Sequence, residues 1–392
     1  MAAMQTSSNT DDLVRKRRAH QKSRSGCTNC KLRRVKCDEG YPECSRCLSF
    51  GVLCNYDIRI SNLQPRYAIS QKFSDKFQIY KALMTSVTCN EELELELNDD
   101  NLARLERFRI RTVLSIGPPE LEQFYENEVY RLTLRHRFLI QFAQALTSIH
   151  DRYLSSTPRR RTIEEIHYWT KGVTLFNNKI STPLHHSDRD AIWAAASMLG
   201  VITFASIEAS TPEEAWPLTP LMRHGPEWFK MGQGKSVLQQ LVRPDRPDSI
   251  FQELFSALPT IEVSPENVPQ EFIKLYELDS SYADCNPYVI PVTHIFATRN
   301  SQHPVSAIQL FFAFNGWMHS AFGNLVLNKD PRTLLLMVYW YSKISTGPWW
   351  LRRRAVMEGQ ATCIYLETFH YDDVIIHDLL KTPRCYLFNT PL

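Results

Sequence analysis

Six of the ten cysteines in this 392-residue chain fall within 28 positions: Cys27, Cys30, Cys37, Cys44, Cys47 and Cys54. Their spacing is C-x2-C-x6-C, six residues, then C-x2-C-x6-C again, so each member of the second triplet lies 17 residues after its counterpart. Three chemistries compete for such a cluster. Disulfides need an oxidising compartment, and the N-terminus MAAMQTSSNTDD has no apolar core that would direct export. A redox dithiol needs one C-x-x-C, beside a βαβ pattern that the sequence lacks. Zinc needs tetrahedral thiolates, and C-x2-C lets one short turn offer two of them. Six thiolates are too many for one zinc and too few for two separate ones. They suffice for two zinc ions if two thiolates bridge, and by the pseudo-symmetry the bridges are the first cysteines of each repeat, Cys27 and Cys44.

The repeat is symmetric in its sulfurs and asymmetric in its charges. Between Cys30 and Cys37 stand Lys31, Arg33, Arg34 and Lys36, whereas the matching stretch LSFGVL carries no charge. Lys31 and Arg34, three apart, are expected to share one helix face, and Arg33 and Lys36 the neighbouring one. From Leu13 to Cys37 there are ten Lys or Arg and no acid, which leaves 35 basic residues against 42 acidic ones elsewhere. A basic head on an acidic body points to a polyanion as partner for the head alone. Upstream, Arg15, Lys16, Arg17, Arg18, Lys22 and Arg24 read as a nuclear import signal, a DNA arm or a passive tail.

The segment CTNCKLRRVKCDEGYPECSRCLSFGVLC resembles the fungal binuclear zinc-cluster transcription factors, down to the basic run and to Pro42 in the middle loop. The resemblance implies that Cys27, Cys30, Cys37 and Cys44 hold one zinc, and that Cys27, Cys44, Cys47 and Cys54 hold the other. It implies a helix after each C-x2-C and a loop at Pro42 that reverses the chain. It further implies that the first helix reads a CGG-like triplet in double-stranded DNA. Arg33 and Arg34 then occupy the base-reading positions, because a cation donates to guanine O6 and N7. Lys31 and Lys36 serve as phosphate clamps.

The elements around this head divide the chain into a basic arm (1–24), the zinc module (25–57), a linker (58–100) and a body (101–392). In the linker, Phe73, Phe77, Tyr80, Met84 and Val87 form about two heptads, a helix that packs on the body or a dimerising coil. A homodimer therefore stays open. EELELELNDD, Glu91 to Asp100, alternates acids with Leu93, Leu95 and Leu97, as an activation segment or a solvated edge would. Beyond it the pattern is helical with little strand-like alternation, so the body is expected to be mainly all-α. HRFLIQFAQALTSIHDRYL sets Phe138, Leu139, Phe142, Leu146, Ile149 and Tyr153 near one face. The uncharged run Ala191 to Ile207 reads as a buried bundle helix and not a membrane span, being 17 residues long and containing Ser and Thr. Pro304 and Pro331 mark helix starts.

HRFLIQFAQALTSIH, AWPLTPLMRHGPEWFKMGQG and DPRTLLLMVYWYSKISTGPWWLRRRAVMEG resemble the regulatory domain of zinc-cluster factors of the sterol uptake control type. That resemblance implies a helical domain, a role in dimerisation and a hydrophobic small-molecule effector. The aromatic stretch Phe311 to Leu327 reads as core, and YDDVIIHDLLKTPRCYLFNTPL departs from the family's usual ending.

No catalytic constellation assembles. GQGKS, Gly232 to Ser236, ends like a phosphate loop but has Phe229 where the first glycine is required. Glu164/His167 and Glu367/His370 are E-x-x-H pairs without the two further glutamates of a di-iron site. Cys89, Cys285, Cys363 and Cys385 read as buried thiols, and His185, His186, Asp188 and Asp190 as a helix start. The expected protein is a nuclear transcription factor for the polymerase that makes messenger RNA, and not an enzyme. It controls sterol or secondary-metabolite genes in the branch it resembles. The rival readings are a zinc module that docks proteins and a zinc head that targets a catalytic body.

Overall fold

The computed structural model describes residues 25–41, 43–50, 52–56, 62–63, 98–155, 160–219, 225–257, 267–279, 286–297, 306–317 and 321–390. The chain divides into two units, Met1–Thr85 and Ser86–Leu392, so the division falls inside the expected linker. The basic arm, Pro42, the 73–87 heptads, Cys89, Cys285, Pro304 and the acidic alternation over 91–97 lie outside the described residues.

The first unit is built on two short helices, α1 (Thr28–Leu32) and α2 (Ser45–Phe50). The second is helical throughout, with no strand among the described residues. Its first described helix is α3 (Asp99–Arg107). Asn98 caps α3 by accepting from the Asn101 amide at 2.9 Å, and Asp99 and Asp100 occupy its first turn. The end of the acidic stretch is therefore a helix N-terminus, where negative charge meets the positive end of the helix dipole.

Helix α4 (Arg137–Leu154) lies where the periodicity placed it. It is buried on more than its apolar face, since Gln141, Gln144, Thr147, Ser148 and His150 are also inside. Hydrogen bonds compensate that burial. Gln144 accepts from Arg104 at 3.1 Å and donates to the Asn101 carbonyl at 2.9 Å, and His150 Nδ1 meets the Thr112 hydroxyl at 3.1 Å. Tyr153, expected on the buried face, is instead exposed at the edge, tilted against Trp349 with ring centroids 5.7 Å apart. Helix α5 (Ile163–Ile180) approaches α4 closely at Gly172, where a Cβ would come within 2.7 Å of the Phe142 ring.

The Ala191–Ile207 run forms most of α6 (Arg189–Ala205), with eleven buried residues. No described helix is long and apolar enough to cross a membrane. Helix α7 (Glu227–Val242) packs on α6, and α8 (Ala307–Trp317) on α7. Helix α9 (Pro331–Ile344) starts with Pro331 in its first turn and Asp330 as cap, and it is buried on nearly every side from Leu334 to Tyr341. It packs against α10 (Trp349–Phe369) and α11 (Val374–Asn389). The divergent ending is thus a packed helix that buries Ile376, Leu380, Pro383 and Leu387, a spacing of one face.

The centre of the body holds an ion pair. Arg354 and Glu358, one turn apart on α10, are 3% and 1% exposed and in direct contact. Arg354 donates to the carbonyls of Phe204 at 2.8 Å and Thr203 at 3.0 Å, in the last turn of α6. Those carbonyls are the negative end of that helix and have no intrahelical partner. Glu358 accepts from Trp228 Nε1 at 2.9 Å and from the Tyr341 hydroxyl at 2.6 Å. One pair therefore ties α6, α7, α9 and α10 together.

Candidate zinc centre and nucleic-acid interface

The two halves of the head repeat each other in backbone as well as in sequence. The Cys30 amide donates to Cys27 Sγ at 3.4 Å, and the Cys47 amide to Cys44 Sγ at 3.3 Å. Lys31 N bonds Cys27 O and Leu48 N bonds Cys44 O, both at 3.1 Å; Val35 N to Cys30 O and Val52 N to Cys47 O do the same at 3.1 Å. Each C-x2-C is a helix N-terminus whose leading thiolate receives the amide of the second cysteine.

All six sulfurs converge and all six residues are buried, none in a disulfide. Cys27 Sγ lies 3.8 Å from Cys44 and 3.5 Å from Cys47, and Cys30 Sγ lies 3.6 Å from Cys44. A disulfide needs about 2.05 Å. Thiolates about 2.3 Å from a tetrahedral zinc sit about 3.8 Å apart. Two groups of four sulfurs lie within 4.8 Å of one another: Cys27, Cys30, Cys37 and Cys44, and Cys27, Cys44, Cys47 and Cys54. Cys27 and Cys44 belong to both, as two bridging ligands must. Burial pushes the Cys30, Cys44, Cys47 and Cys54 thiols up, so without a cation these sulfurs would not ionise together. Cys27 also feels burial, but the Cys30 amide and neighbouring thiols bring it down to about 7. The donor set fits a two-zinc cluster.

Supporting contacts that the sequence does not announce close the module. Buried Asn29 donates its amide to Asn55 Oδ1 at 2.6 Å and its side chain to the Leu53 carbonyl at 2.7 Å, and accepts from Leu63 N at 2.8 Å. Asp38 accepts from the amides of Ser45 at 3.0 Å and Arg46 at 3.4 Å, at the start of α2. Its carboxyl is held low, first by the Ser45 hydroxyl. Tyr56 stacks on Tyr41 at 4.1 Å and brings its hydroxyl to Cys37 Sγ at 3.2 Å. Asn, Asp and Tyr have no periodic signature, and only the folded loops show what they face.

The family comparison agrees. Residues 25–63 match the Fungal Zn(2)-Cys(6) binuclear cluster domain. The chain carries the binuclear zinc-cluster domain of the fungal zinc-cluster transcription factors. It binds DNA and regulates transcription, with two zinc ions held by the six cysteines. A "Zn(2)-C6 fungal-type transcription factor" of Gibberella zeae is 22% identical across 87% of this chain and 82% of its own length. "Sterol uptake control protein 2" of Saccharomyces cerevisiae is 56% identical over 41 residues, 10% of this chain and 4% of that protein. The "Aspercryptin biosynthesis cluster-specific transcription regulator atnN" of Emericella nidulans is 32% identical over 106 residues, 25% of this chain and 17% of that protein. The last two likenesses thus cover only a small part of each relative.

The cations of this zinc-cluster factor are placed differently from a simple helix wheel. Helix α1 stops at Leu32, and Arg33 is its C-cap. Arg34 follows in the left-handed region at φ 54°. Val35 N bonds Cys30 O and Arg34 N bonds Lys31 O at 3.2 Å, the paired closure of a Schellman motif. Arg34 therefore does not share a helix face with Lys31, because the chain turns away before it. Arg33 is engaged inside the module: its guanidinium lies 3.6 Å over the Phe50 ring and donates to the Arg46 carbonyl at 3.1 Å. Leu48 and Phe50 are 52% and 56% exposed, so the uncharged stretch that begins in α2 lies partly at the surface. Its Phe50 supplies the surface on which Arg33 rests.

The remaining motifs resolve into structure. GQGKS lies within α7, where its amides are consumed by the helix ladder and cannot cradle a phosphate. Glu164 pairs with Arg104 at 3.1 Å and Glu367 with Arg384, and the cysteine groups are the only metal-ligand clusters among the described residues. Asp188 pairs with Lys179 at 2.6 Å. Asp190 holds Arg246 at 2.6 Å and the Ser249 hydroxyl at 2.8 Å, which makes this loop a helix start and a brace. Cys363 is buried as expected, whereas Cys385 is exposed.

Proposed function

We propose that this factor acts in the nucleus without catalytic activity and reads a CGG-like element with the segment that ends α1. Arg34 makes the base contact, Lys31 and Lys36 contact phosphates, and Arg33 braces the two halves from its place on Phe50. The observation that carries this reading is the backbone of Arg34. A left-handed residue is cheap for glycine and costs other residues about 1 kcal/mol or more. In the sequence repeat the counterpart of Arg34 is Gly51. A strained arginine within the basic run between Cys30 and Cys37 points to a role for what its side chain touches. Nuclear action fits the kind of relative matched, and control of sterol or secondary-metabolite genes fits the two relatives' names. The body is proposed as the regulatory part.

Selection of bound sites from random duplexes, with zinc present, tests the reading directly. Enrichment of a G/C triplet supports it, and a pool with no enriched element overturns it. Arg34→Gly sharpens the test because stability and binding should move in opposite directions. The zinc module should gain up to about 1 kcal/mol through relief of the left-handed strain. Specific binding should weaken by about 1–3 kcal/mol with relaxed base preference. Equal loss on selected and random DNA would remove Arg34 from base reading.

A further inference from the structure

A cavity of about 230 Å³ lies in the body, walled by α6, α7 and Phe312 of α8 together with residues between 116 and 129 and between 251 and 255. Its wall is mostly apolar, with Ser197 of α6 and one side of α7 as polar parts. On that side α7 presents Lys235, Ser236 and Gln239. The Lys235 ammonium sits 4.8 Å from the centroid of the Trp193 ring of α6 and 4.7 Å from that of Phe312 of α8. No acidic residue lines the cavity, and no carboxylate or hydrogen-bond acceptor among the described residues pairs with Lys235. Two ring faces offset part of the cost of placing an ammonium there, but they fill none of its three N–H donors. Desolvation pulls its pKa down to about 8, the sign of a cation that lacks a counter-charge.

We propose that this cavity is a binding site for a small apolar carboxylate, an aromatic or short-chain acid whose anionic head meets Lys235. Its hydrocarbon fills the space beside Ala194, and Ser236 and Gln239 offer further polar contacts to the head. The incoming carboxylate supplies a counter-charge at the partly buried Lys235, where a charge-assisted hydrogen bond is stronger than a neutral one. Volume sets the size of the guest. A water takes about 30 Å³ of liquid, so the cavity holds the equivalent of about eight. It is smaller than the roughly 300–1,000 Å³ of sites for drug-sized ligands. A compact acid of about ten non-hydrogen atoms matches this space. All residues that line the site belong to Ser86–Leu392, so it stands independently of how the zinc head reads DNA.

Isothermal titration of the full zinc-loaded chain with 2-naphthoate, with its neutral amide 2-naphthamide, and with octanoate tests the assignment. At least one acid should bind, and 2-naphthamide should bind at least tenfold more weakly than 2-naphthoate. Lys235→Met should lower acid affinity at least tenfold and Lys235→Arg should restore most of it. Ala194→Phe, which keeps the cation but occupies the space, should abolish uptake and so covers the case in which Lys235→Met fails to fold. Absence of binding by both acids, equal affinity for acid and amide, or undiminished binding by Ala194→Phe would each overturn the proposal.

Discussion

Replacing Cys44 by alanine is expected to release both zinc ions and not one. Cys44 Sγ stands 3.8 Å from Cys27 and 3.6 Å from Cys30, and it belongs to both groups of four sulfurs. Its loss leaves each zinc with three thiolates and removes half of the bridge between them. Cys54 belongs to one group only, so Cys54→Ala should leave the zinc held by Cys27, Cys30, Cys37 and Cys44 with a complete set. Metal analysis of the purified full chain should therefore read two zinc per wild-type molecule, none for Cys44→Ala and about one for Cys54→Ala. The energetic consequence is large, because structural zinc contributes about 10–16 kcal/mol of apparent binding energy in small finger peptides, and that energy is folding energy. DNA binding by Cys44→Ala should vanish, while the helical signal of the body persists because Ser86–Leu392 has its own core. A variant that keeps one tightly bound zinc would contradict the bridging assignment.

The second large effect belongs to the body. Glu358→Ala should destabilise it by about 3–5 kcal/mol, a fall in Tm on the order of 10 °C. The substitution strands Arg354 in the core, 3% exposed, with only the Thr203 and Phe204 carbonyls for company. It also orphans the Trp228 indole N–H and the Tyr341 hydroxyl. The double change Arg354→Met with Glu358→Leu should recover much of the loss, since removing both charges avoids the unpaired one. Thermal unfolding followed by tryptophan fluorescence reads both outcomes. A Glu358→Ala protein within 1 °C of wild type would show that the pair does not tie the helices together.

The same pair shows why parts of the fold were hidden in the sequence. LRRRAVMEG displays three consecutive arginines of one kind. Which of them is buried depends on where α6 ends, and that is a property of another element some 150 residues away. The polar residues of α4 pose the same problem. A hydrophobic wheel identifies the face of Phe138, Phe142 and Leu146, but it reads Gln144 and His150 as solvated until Arg104, Asn101 and Thr112 are seen against them. Long amphipathic runs were legible because burial in a helix imposes a period on apolar residues alone.

In the head, sequence by itself determined the metal and its stoichiometry. Thiolates are the only ligands offered, and a six-cysteine repeat can satisfy two tetrahedral ions in no unbridged way. It also determined which half carries charge, because Lys31, Arg33, Arg34 and Lys36 have no counterparts in LSFGVL. Tertiary structure decided how those charges are used. Spacing alone puts Lys31 and Arg34 on one helix face, yet the helix closes at Arg33, and Arg34 turns into the left-handed region. Arg33, its neighbour in sequence, is folded back over Phe50 of the other half. Ligand identity is a matter of chemical type, which a sequence states outright. The direction of a side chain depends on where its helix stops and on what lies beside it, and both are set by contacts between residues far apart in the chain.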